Sequence, residues 1–359
     1  MNYSSRYPNK KVVLEGCNGE WAQKHYLPFL IEKAMIRDIT LWAVDIQPDI
    51  KPSSTDSHSL WRIAEGKGRA HYLNADKGRE SLGVPRNVDY VFIVTPDRCH
   101  CEVAEFWLSR LGIEGKIFIE KPLDASIQAA EQLKANIPNN NAVYGFDHYL
   151  VSFYPFLRRV RQYLAKIGDI KSLEINILEN DAIPPHQVQT LKEGVIFDLF
   201  PHVLAVSVTV IEEKLAPTED ILQKAKFVDG ARAKYNGWPF SSETYARIKL
   251  TVSDKELTSM VGKGIGETPD KQMIIHGTHR GKIEIDFQDD SFSMNGEPKR
   301  NLESKPVEFF LEAVLAGSSI DSVPGVLSFG AAFAILERLS DIRGNINMGP
   351  DYDIGTFPP

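Results

Sequence analysis

Four short apolar runs in the first third of the chain alternate with segments in which apolar residues recur at helical spacing. The runs are KVVLEG (11–16), ITLWAVD (39–45), VDYVFIVTP (88–96) and GKIFIEKP (115–122). Helices are predicted over 20–36, after the polar stretch 51–58, and over 98–112, where Gly112 is the predicted helix end. Apolar strands that alternate with helices are typical of a parallel sheet covered on both faces. This pattern predicts a doubly wound α/β domain over residues 1–145.

The pattern changes after about residue 145. Segments 171–180, 243–254, 271–278 and 281–292 alternate apolar and polar residues, which is typical of antiparallel strands with one solvated face. Two apolar helices are predicted, over 194–211 and 323–342. We therefore expect residues 146–359 to form an α+β domain built on a large open antiparallel sheet. Ligands of doubly wound domains bind at the carboxyl ends of the parallel strands.

Length and charge restrict the class of protein. A chain of 359 residues fits two domains, and its net charge of −7 disfavours a nucleic-acid partner. No apolar run approaches the roughly 20 residues that span a bilayer, and the first residues lack the apolar core of a signal peptide. The three cysteines form no paired framework and no residues have zinc-ligand spacing, so we expect a cytoplasmic protein without a metal site.

The first strand runs directly into a glycine-containing turn and a helix. Gly16, Asn18 and Gly19 form the turn, and Glu20 and Trp21 follow at the helix start. The fingerprint G-x-G-x-x-G is not met, because Asn18 and Trp21 stand where glycines are expected. A helix N-terminus after a tight turn can still bind pyrophosphate, although an ordinary βα turn is an equally good interpretation of this segment alone.

Three further groups of polar residues stand where chemistry is expected. Asp45 ends the second strand, where a carboxylate binds the adenosine ribose and repels a 2′-phosphate, which favours NAD over NADP. Lys121 follows another strand end and can hold a substrate oxygen, whereas a solvated lysine is the alternative. Asp198 and His202 lie four residues apart on a predicted helix, so both can face one side. His202 can take a hydroxyl proton with the carboxylate orienting it, unless it is a core histidine.

These motifs together resemble the glucose–fructose oxidoreductase / inositol dehydrogenase (Gfo/Idh/MocA) family. The matching elements are T-P-x-x-x-H from Thr95 to His100, E-K-P from Glu120 to Pro122, and D-x-x-x-H from Asp198 to His202. The resemblance implies Lys121 as the catalytic or substrate-positioning lysine, His202 as general base, and Asp198 as a substrate contact or as the group that orients the base. It also implies a cofactor environment that includes Thr95, Pro96, His100 and Glu120.

Three stretches resemble a related group, the glucose-6-phosphate dehydrogenases. GCNGEWAQKHYLPFL (16–30) is similar to that group's nucleotide loop and helix, and there Asn18, Glu20 and Trp21 occupy expected polar, acidic and large apolar positions. FDHYL (146–150) is similar to its substrate motif, which implies Asp147, His148 and Tyr149 as substrate-binding residues. SSETYARIKL (241–250) is similar to one of its strands. Ser152 stands where that group has a phosphate-binding lysine.

The sequence therefore predicts an NAD-dependent dehydrogenase acting on a secondary hydroxyl, or the matching ketone, of a sugar, sugar phosphate or cyclitol. Lys121, His202 and Asp198 are the predicted catalytic residues. The alternatives are an oxidoreductase that never releases its NAD, a ligand-sensing regulatory protein without catalysis, and a glucose-6-phosphate-type dehydrogenase that uses NADP. Because relatives often pair through the open sheet, a homo-dimer or homo-tetramer is expected, with no membrane partner.

Overall fold

Seven strands form the sheet of the first of two compact units in the computed structural model. The unit comprises Met1–Phe146 and Lys305–Phe329, and the second unit comprises Asp147–Ser304 and Gly330–Pro359. The structure describes residues 9–36, 38–52, 54–77, 83–138, 142–179, 188, 192–265 and 270–354. The first unit thus includes a segment, Lys305–Phe329, that the sequence analysis assigns to the second domain.

The first sheet has the order β15-β6-β5-β4-β1-β2-β3, and all its pairs are parallel except β15 with β6. Its strands are β1 (Lys10–Glu15), β2 (Ile39–Asp45), β3 (Ala70–Asn74), β4 (Val88–Ile93), β5 (Leu111–Glu120), β6 (Val143–Phe146) and β15 (Val326–Ser328). The ends of the central strands align, because Glu15 is in register with both Val44 and Ile93, and Ile93 with Ile119. The predicted parallel sheet is confirmed.

The helices of this unit include α1 (Leu27–Met35), α2 (Thr55–Gly66), α3 (His100–Leu108), α4 (Ile127–Asn136) and α11 (Pro306–Leu315). Phe310 of α11 stacks on Phe146 with ring centroids 3.9 Å apart and meets Phe118 edge-on at 5.3 Å. The segment after residue 304 therefore supplies both a strand and part of the aromatic core of the first unit.

Two predicted helix boundaries are wrong. The helix predicted to end at Gly112 ends at Leu108, because Leu111 already belongs to β5 and pairs with Val88. The helix predicted from residue 323 begins only at Phe329, since Val326 pairs with Phe146 as a strand residue.

Eight strands form the sheet of the second unit, in the order β14-β13-β12-β11-β7-β10-β9-β8. They are β7 (Ile170–Glu179), β8 (Lys226–Ala233), β9 (Tyr245–Val252), β10 (Lys255–Lys263), β11 (Asp270–Gly277), β12 (Lys282–Asp286), β13 (Ser291–Met294) and β14 (Arg300–Asn301). All pairs are antiparallel except β7 with β10. The predicted large antiparallel sheet is confirmed.

The helices of the second unit are α5 (His148–Ser152), α6 (Tyr154–Leu157), α7 (Val160–Ile167), α8 (Val195–Asp198), α9 (Phe200–Glu212), α10 (Glu219–Lys224) and α12 (Phe329–Asn345), the last continuing from the first unit. The helix predicted over 194–211 is divided at Leu199, and Pro201 stands in the first turn of α9, as its fixed φ favours. Among the described residues, no helix combines the length and the apolar character needed to cross a membrane.

Candidate functional site

The turn after β1 requires glycine at position 16. Gly16 has φ +78°, and a Cβ added there would lie 2.6 Å from the carbonyl oxygen of Val94. Backbone bonds close the turn: Gly16 N donates to Val44 O at 2.9 Å, and Gly19 N donates to Gly16 O at 3.0 Å. The turn is thus held against the neighbouring strands β2 and β4, and the helix that follows begins beside the carboxyl edge of the sheet.

Asp45 is tied to this turn. Its Oδ2 accepts from Asn18 N at 2.9 Å and its Oδ1 accepts from Gln47 N at 3.1 Å. The Asn18 side chain in turn donates to Asp49 O and accepts from Lys51 N. The structure therefore brings together Gly16, Asn18 and Asp45, the predicted pyrophosphate turn and the predicted ribose ligand.

The helix start explains why a tryptophan stands where a glycine was expected. A π-turn (Ala22–Tyr26) precedes α1, and its i→i+5 bonding brings residues five apart onto one side. Trp21 Nε1 and Tyr26 Oη both donate to Oε1 of the buried Glu120, at 3.0 and 2.7 Å. Burial, followed by the Glu120 carboxylate, raises the pKa of Tyr26 well above its ordinary value. Glu20 is exposed in the first helical position.

His100 joins the ends of β4 and β5. Its Nδ1 lies 2.8 Å from Pro122 O and its Nε2 lies 2.7 Å from Thr95 O, so the buried ring bridges the two predicted motifs. Carbonyl oxygens only accept hydrogen bonds, so a ring nitrogen of His100 that carries a proton donates to the carbonyl beside it. Lys121 lies half-buried directly after β5, beside this bridge in the chain.

The first unit fits the nicotinamide dinucleotide that the sequence motifs imply. Thr95 Oγ1 is buried, and among the described residues no group lies within hydrogen-bond distance of it. Gly16 lets the turn pack directly against the Val94 backbone, and the Asp45 carboxylate at the end of β2 accepts from the same turn. A buried hydroxyl without a partner at the edge where ligands bind is consistent with a ligand that completes it.

In the second unit, His202 is oriented by Asp147. His202 Nδ1 lies 2.9 Å from Asp147 Oδ2, and both side chains are buried, with 2% and 1% of their surface exposed. The other carboxylate oxygen of Asp147 accepts from Tyr149 N and Leu150 N at the start of α5. When Nδ1–H donates its hydrogen bond to the Asp147 carboxylate, Nε2 of the neutral ring has the lone pair that a general base needs. The sequence predicts Asp147 as a substrate-binding residue and Asp198 as the carboxylate that orients His202.

Two further rings surround His202. The Tyr149 ring lies 4.2 Å from it, and the His148 ring lies 4.7 Å from it, edge-on. Burial, followed by the carboxylates of Glu179, Asp147 and Asp198, raises the pKa of Tyr149. The structure thus brings four predicted substrate residues into one cluster: Asp147, His148, Tyr149 and His202.

Asp198 belongs to a charged network that sequence reasoning missed. Oδ2 of Asp198 lies 3.5 Å from Lys263 Nζ. Lys263 Nζ also lies 2.9 Å from the Glu179 carboxylate, and the same carboxylate lies 2.7 Å from Lys271 Nζ. Burial alone would lower the pKa of Lys263, but the Asp198 and Glu179 carboxylates raise it to about 12. Lys263 and Glu179 end two adjacent strands in register, a pairing that no local sequence pattern reveals.

Residues 53–148 match the model of an oxidoreductase family with an NAD-binding Rossmann fold. This segment is similar to the nucleotide-binding domain of the Gfo/Idh/MocA oxidoreductases. The family and the enzyme class predicted from the motifs are thereby confirmed. The match begins after the turn at 16–19 and after Asp45, which agrees with the departure of that turn from the usual fingerprint. It includes the Gfo/Idh/MocA motifs T-P-x-x-x-H and E-K-P.

Solved structures share this Gfo/Idh/MocA fold at low identity. KijD10, a 3-ketoreductase from Actinomadura kijaniata in complex with NADP and TDP-benzene, is 13% identical, with a TM-score of 0.70 over 96% of this chain and 99% of that one. Glucose-6-phosphate 1-dehydrogenase from Mycobacterium avium is 15% identical, with a TM-score of 0.68 over 97% and 95%. The UDP-N-acetylglucosamine 3-dehydrogenase GnnA from Acidithiobacillus ferrooxidans is 17% identical, with a TM-score of 0.64 over 94% and 98%. No curated protein matches the sequence.

Proposed function

We propose that this protein is an NAD-dependent dehydrogenase that oxidises a secondary hydroxyl of a sugar or cyclitol, or reduces the matching ketone. The observation that carries the proposal is the buried His202–Asp147 pair, with Nδ1 of the imidazole 2.9 Å from the carboxylate. Such a pair prepares a base for a hydroxyl proton. GnnA is named a UDP-N-acetylglucosamine 3-dehydrogenase and KijD10 a 3-ketoreductase, and these names support the reaction and the substrate class.

In this proposal the residues divide into those that surround the cofactor and those that act on the substrate. Gly16, Asn18, Gly19, Glu20, Trp21, Thr95, Pro96, His100 and Glu120 surround the cofactor, whose nicotinamide exchanges a hydride with the substrate when bound. Lys121 holds the reacting oxygen and His202 exchanges its proton. Asp147 fixes the His202 tautomer, and His148, Tyr149 and Asp198 contact the other hydroxyls.

We infer NAD rather than NADP as the cofactor, although KijD10 is described with NADP. Asp45 supports this choice, because a carboxylate at the end of β2 disfavours the 2′-phosphate of NADP. Binding assays with NAD and NADP test the inference, and the variant Asp45→Ala should lose the preference.

An uncharged substrate is favoured over a sugar phosphate. Glu179, whose carboxylate acts on Tyr149 of this cluster, already pairs with both Lys263 and Lys271. Ser152 stands where the glucose-6-phosphate dehydrogenases have a phosphate-binding lysine. A phosphate at this position would have to compete with carboxylates for the same cations.

The decisive experiment is a screen of sugars, cyclitols and their phosphate esters for reduction of NAD. The variant Lys121→Ala should lower turnover by about 10²-fold or more while NAD affinity stays nearly unchanged, because the lysine acts on the substrate oxygen. Lys116→Ala, on the strand β5 that leads into Lys121, is the matched control and should keep full turnover. Wild-type turnover in Lys121→Ala would contradict the proposal.

The same assays separate the alternatives. A regulatory protein would bind a sugar without reducing NAD. The buried imidazole–carboxylate pair disfavours this alternative, because burying such a pair is costly and a protein without proton transfer has no use for it. An enzyme that keeps its cofactor would show absorbance of reduced nicotinamide in the purified protein. We further propose a cytoplasmic homo-dimer or homo-tetramer formed through the open sheet.

A further inference from the structure

Glu243 precedes β9 in the segment SSETYARIKL, which the proposed function leaves without a role. Its side chain is fully buried, with 0% of its surface exposed. A carboxylate at that depth is costly unless hydrogen bonds and opposite charges compensate for the lost water. Its partners therefore indicate what it does.

Glu243 caps helix α8. Its carbonyl oxygen accepts from Val195 N at 3.1 Å, and its carboxylate Oε1 accepts from Ile196 N at 3.2 Å. The residue before the helix, Gly194, has no side chain with which to cap it and has φ +88°. A Cβ on Gly194 would collide with the Glu243 carboxylate. The first two amides of α8 are thus satisfied by one distant residue, which lies 47 positions from Ile196 in the chain.

Two arginines hold the other carboxylate oxygen. Arg232 Nη1 lies 3.2 Å and Arg343 Nε lies 3.5 Å from Oε2 of Glu243. Arg343 also lies over the ring of Phe197, which belongs to α8, and pairs with Glu193 at 3.6 Å. Burial raises the pKa of Glu243 even though both arginines act to lower it. The carboxylate is therefore fixed in direction between the arginines and the helix.

The helix that Glu243 caps ends at Asp198, whose amide bonds back to Gly194 O at 3.1 Å. The next residue of the strand segment, Thr244, accepts at its carbonyl from Lys263 N at 2.9 Å. Asp198 and Lys263, whose side chains lie 3.5 Å apart, are therefore both attached to the dipeptide 243–244.

We propose that Glu243 is a positioning residue for the reaction, which sets Asp198 through α8 and holds it opposite Lys263. This inference rests on the proposed function, in which Asp198 contacts the substrate. It assigns a role to the S-x-E-T segment: its glutamate acts on the substrate only through the helix that it caps.

Two variants and a matched control test the role. Glu243→Gln keeps an acceptor for Ile196 N but loses the charge between the arginines. Glu243→Asp keeps the charge but is too short to cap Ile196, so it remains informative if the glutamine variant fails to fold. Glu193→Gln breaks a bond to the same Arg343 and leaves the α8 amides capped.

Two measurements are made on the full-length protein. Hydrogen exchange by mass spectrometry should show faster exchange in residues 195–199 of Glu243→Asp, and no change in Glu193→Gln. With NAD and the best substrate of the screen, kcat/KM should fall by about tenfold to 10²-fold in Glu243→Asp, as expected for a displaced contact. NAD affinity should stay at the wild-type value. In a protein that already carries Asp198→Asn, adding Glu243→Asp should lower kcat/KM little further.

Wild-type kcat/KM in both Glu243 variants, or losses that add fully to that of Asp198→Asn, would overturn the positioning role. Unchanged exchange in residues 195–199 would overturn the capping on which it depends. If none of the screened compounds lets the wild-type protein reduce NAD, the proposed function is contradicted. The exchange experiment would still decide whether Glu243 holds α8.

Discussion

Gly16 is the residue at which the nucleotide turn tolerates least change. Gly16→Ala adds the cost of positive φ, about 1–2 kcal/mol, and also a Cβ that overlaps the backbone of Val94, 2.6 Å away. Gly68→Ala has a similar φ of +64° with open space around it, so it carries the first cost alone. We expect a larger fall in Tm and loss of NAD binding only in Gly16→Ala. Equal effects in the two variants would show that close approach to Val94 is unimportant.

The two donors to Glu120 can be removed one at a time, Tyr26→Phe by losing only a hydroxyl and Trp21→Phe by also replacing the indole with a smaller ring. Trp21→Phe and Tyr26→Phe each leave the buried carboxylate with one donor fewer, which should lower the free energy of unfolding by about 1–3 kcal/mol. Urea unfolding of the single and double variants measures this. Because both groups bind one oxygen, the double variant should depart from additivity, and strictly additive losses would contradict a shared site.

At this scale the sequence predicts which residue types stand at strand ends, but not which side chains meet. The glycine turn, Asp45 and the Asp198–His202 spacing could all be identified from local pattern. The pairs Trp21–Glu120 and Asp147–His202 could not, because their members lie 99 and 55 residues apart and each depends on how distant strands and helices pack.

The ends of β7 and β10 form an element-level device that responds to pH. Burial alone would raise the pKa of Glu179, but Lys263 and Lys271 lower it below its ordinary value of 4.5. The ionised Glu179 therefore stabilises the fold above pH 4.5, and this stabilisation is lost as the pH falls through the pKa of the folded state. The pKa of Lys263 is raised from 10.5 to about 12, so its contribution is present below 10.5 and is lost as the pH rises through about 12.

Glu179→Gln should therefore lower the free energy of unfolding by about 2 kcal/mol between these limits, and by less at either extreme. Urea unfolding at a series of pH values measures the difference. Glu174→Gln, in the same strand with 52% of its side chain exposed, should change little at any pH. A loss in Glu179→Gln that is independent of pH would exclude the ionic origin.

Element types were predictable from period and turn residues, whereas some boundaries were not. The sequence R-L-G at 110–112 has the composition of a helix end, yet β5 extends through it because Leu111 finds a partner in Val88. Likewise, 326–328 adopts a strand only because β6 offers an unpaired edge. Both outcomes are decided by tertiary pairing rather than by local propensity.

On the scale of the whole molecule, the outer face of the eight-stranded sheet is the surface through which we propose that copies associate. Helices α8 and α9 lie against its inner face, where Ile275 and Ile175 are buried. On the outer face Ile274 lies in register with Glu174. Ile274→Arg should reduce the mass measured by light scattering to that of a monomer, whereas the conservative Lys249→Arg should not. A wild-type protein that is already monomeric would contradict the proposal.

The order of the chain has a consequence for synthesis on the ribosome. Most of the first unit precedes the second along the chain, yet its seventh strand and the helix that carries Phe310 come from Lys305–Phe329. Until that segment emerges, Phe146 and Phe118 lack the ring that covers them and β6 keeps an open edge. Synthesis of the first unit therefore starts before residues 147–304 are made and is completed only after them, so its incomplete core stays exposed during that interval.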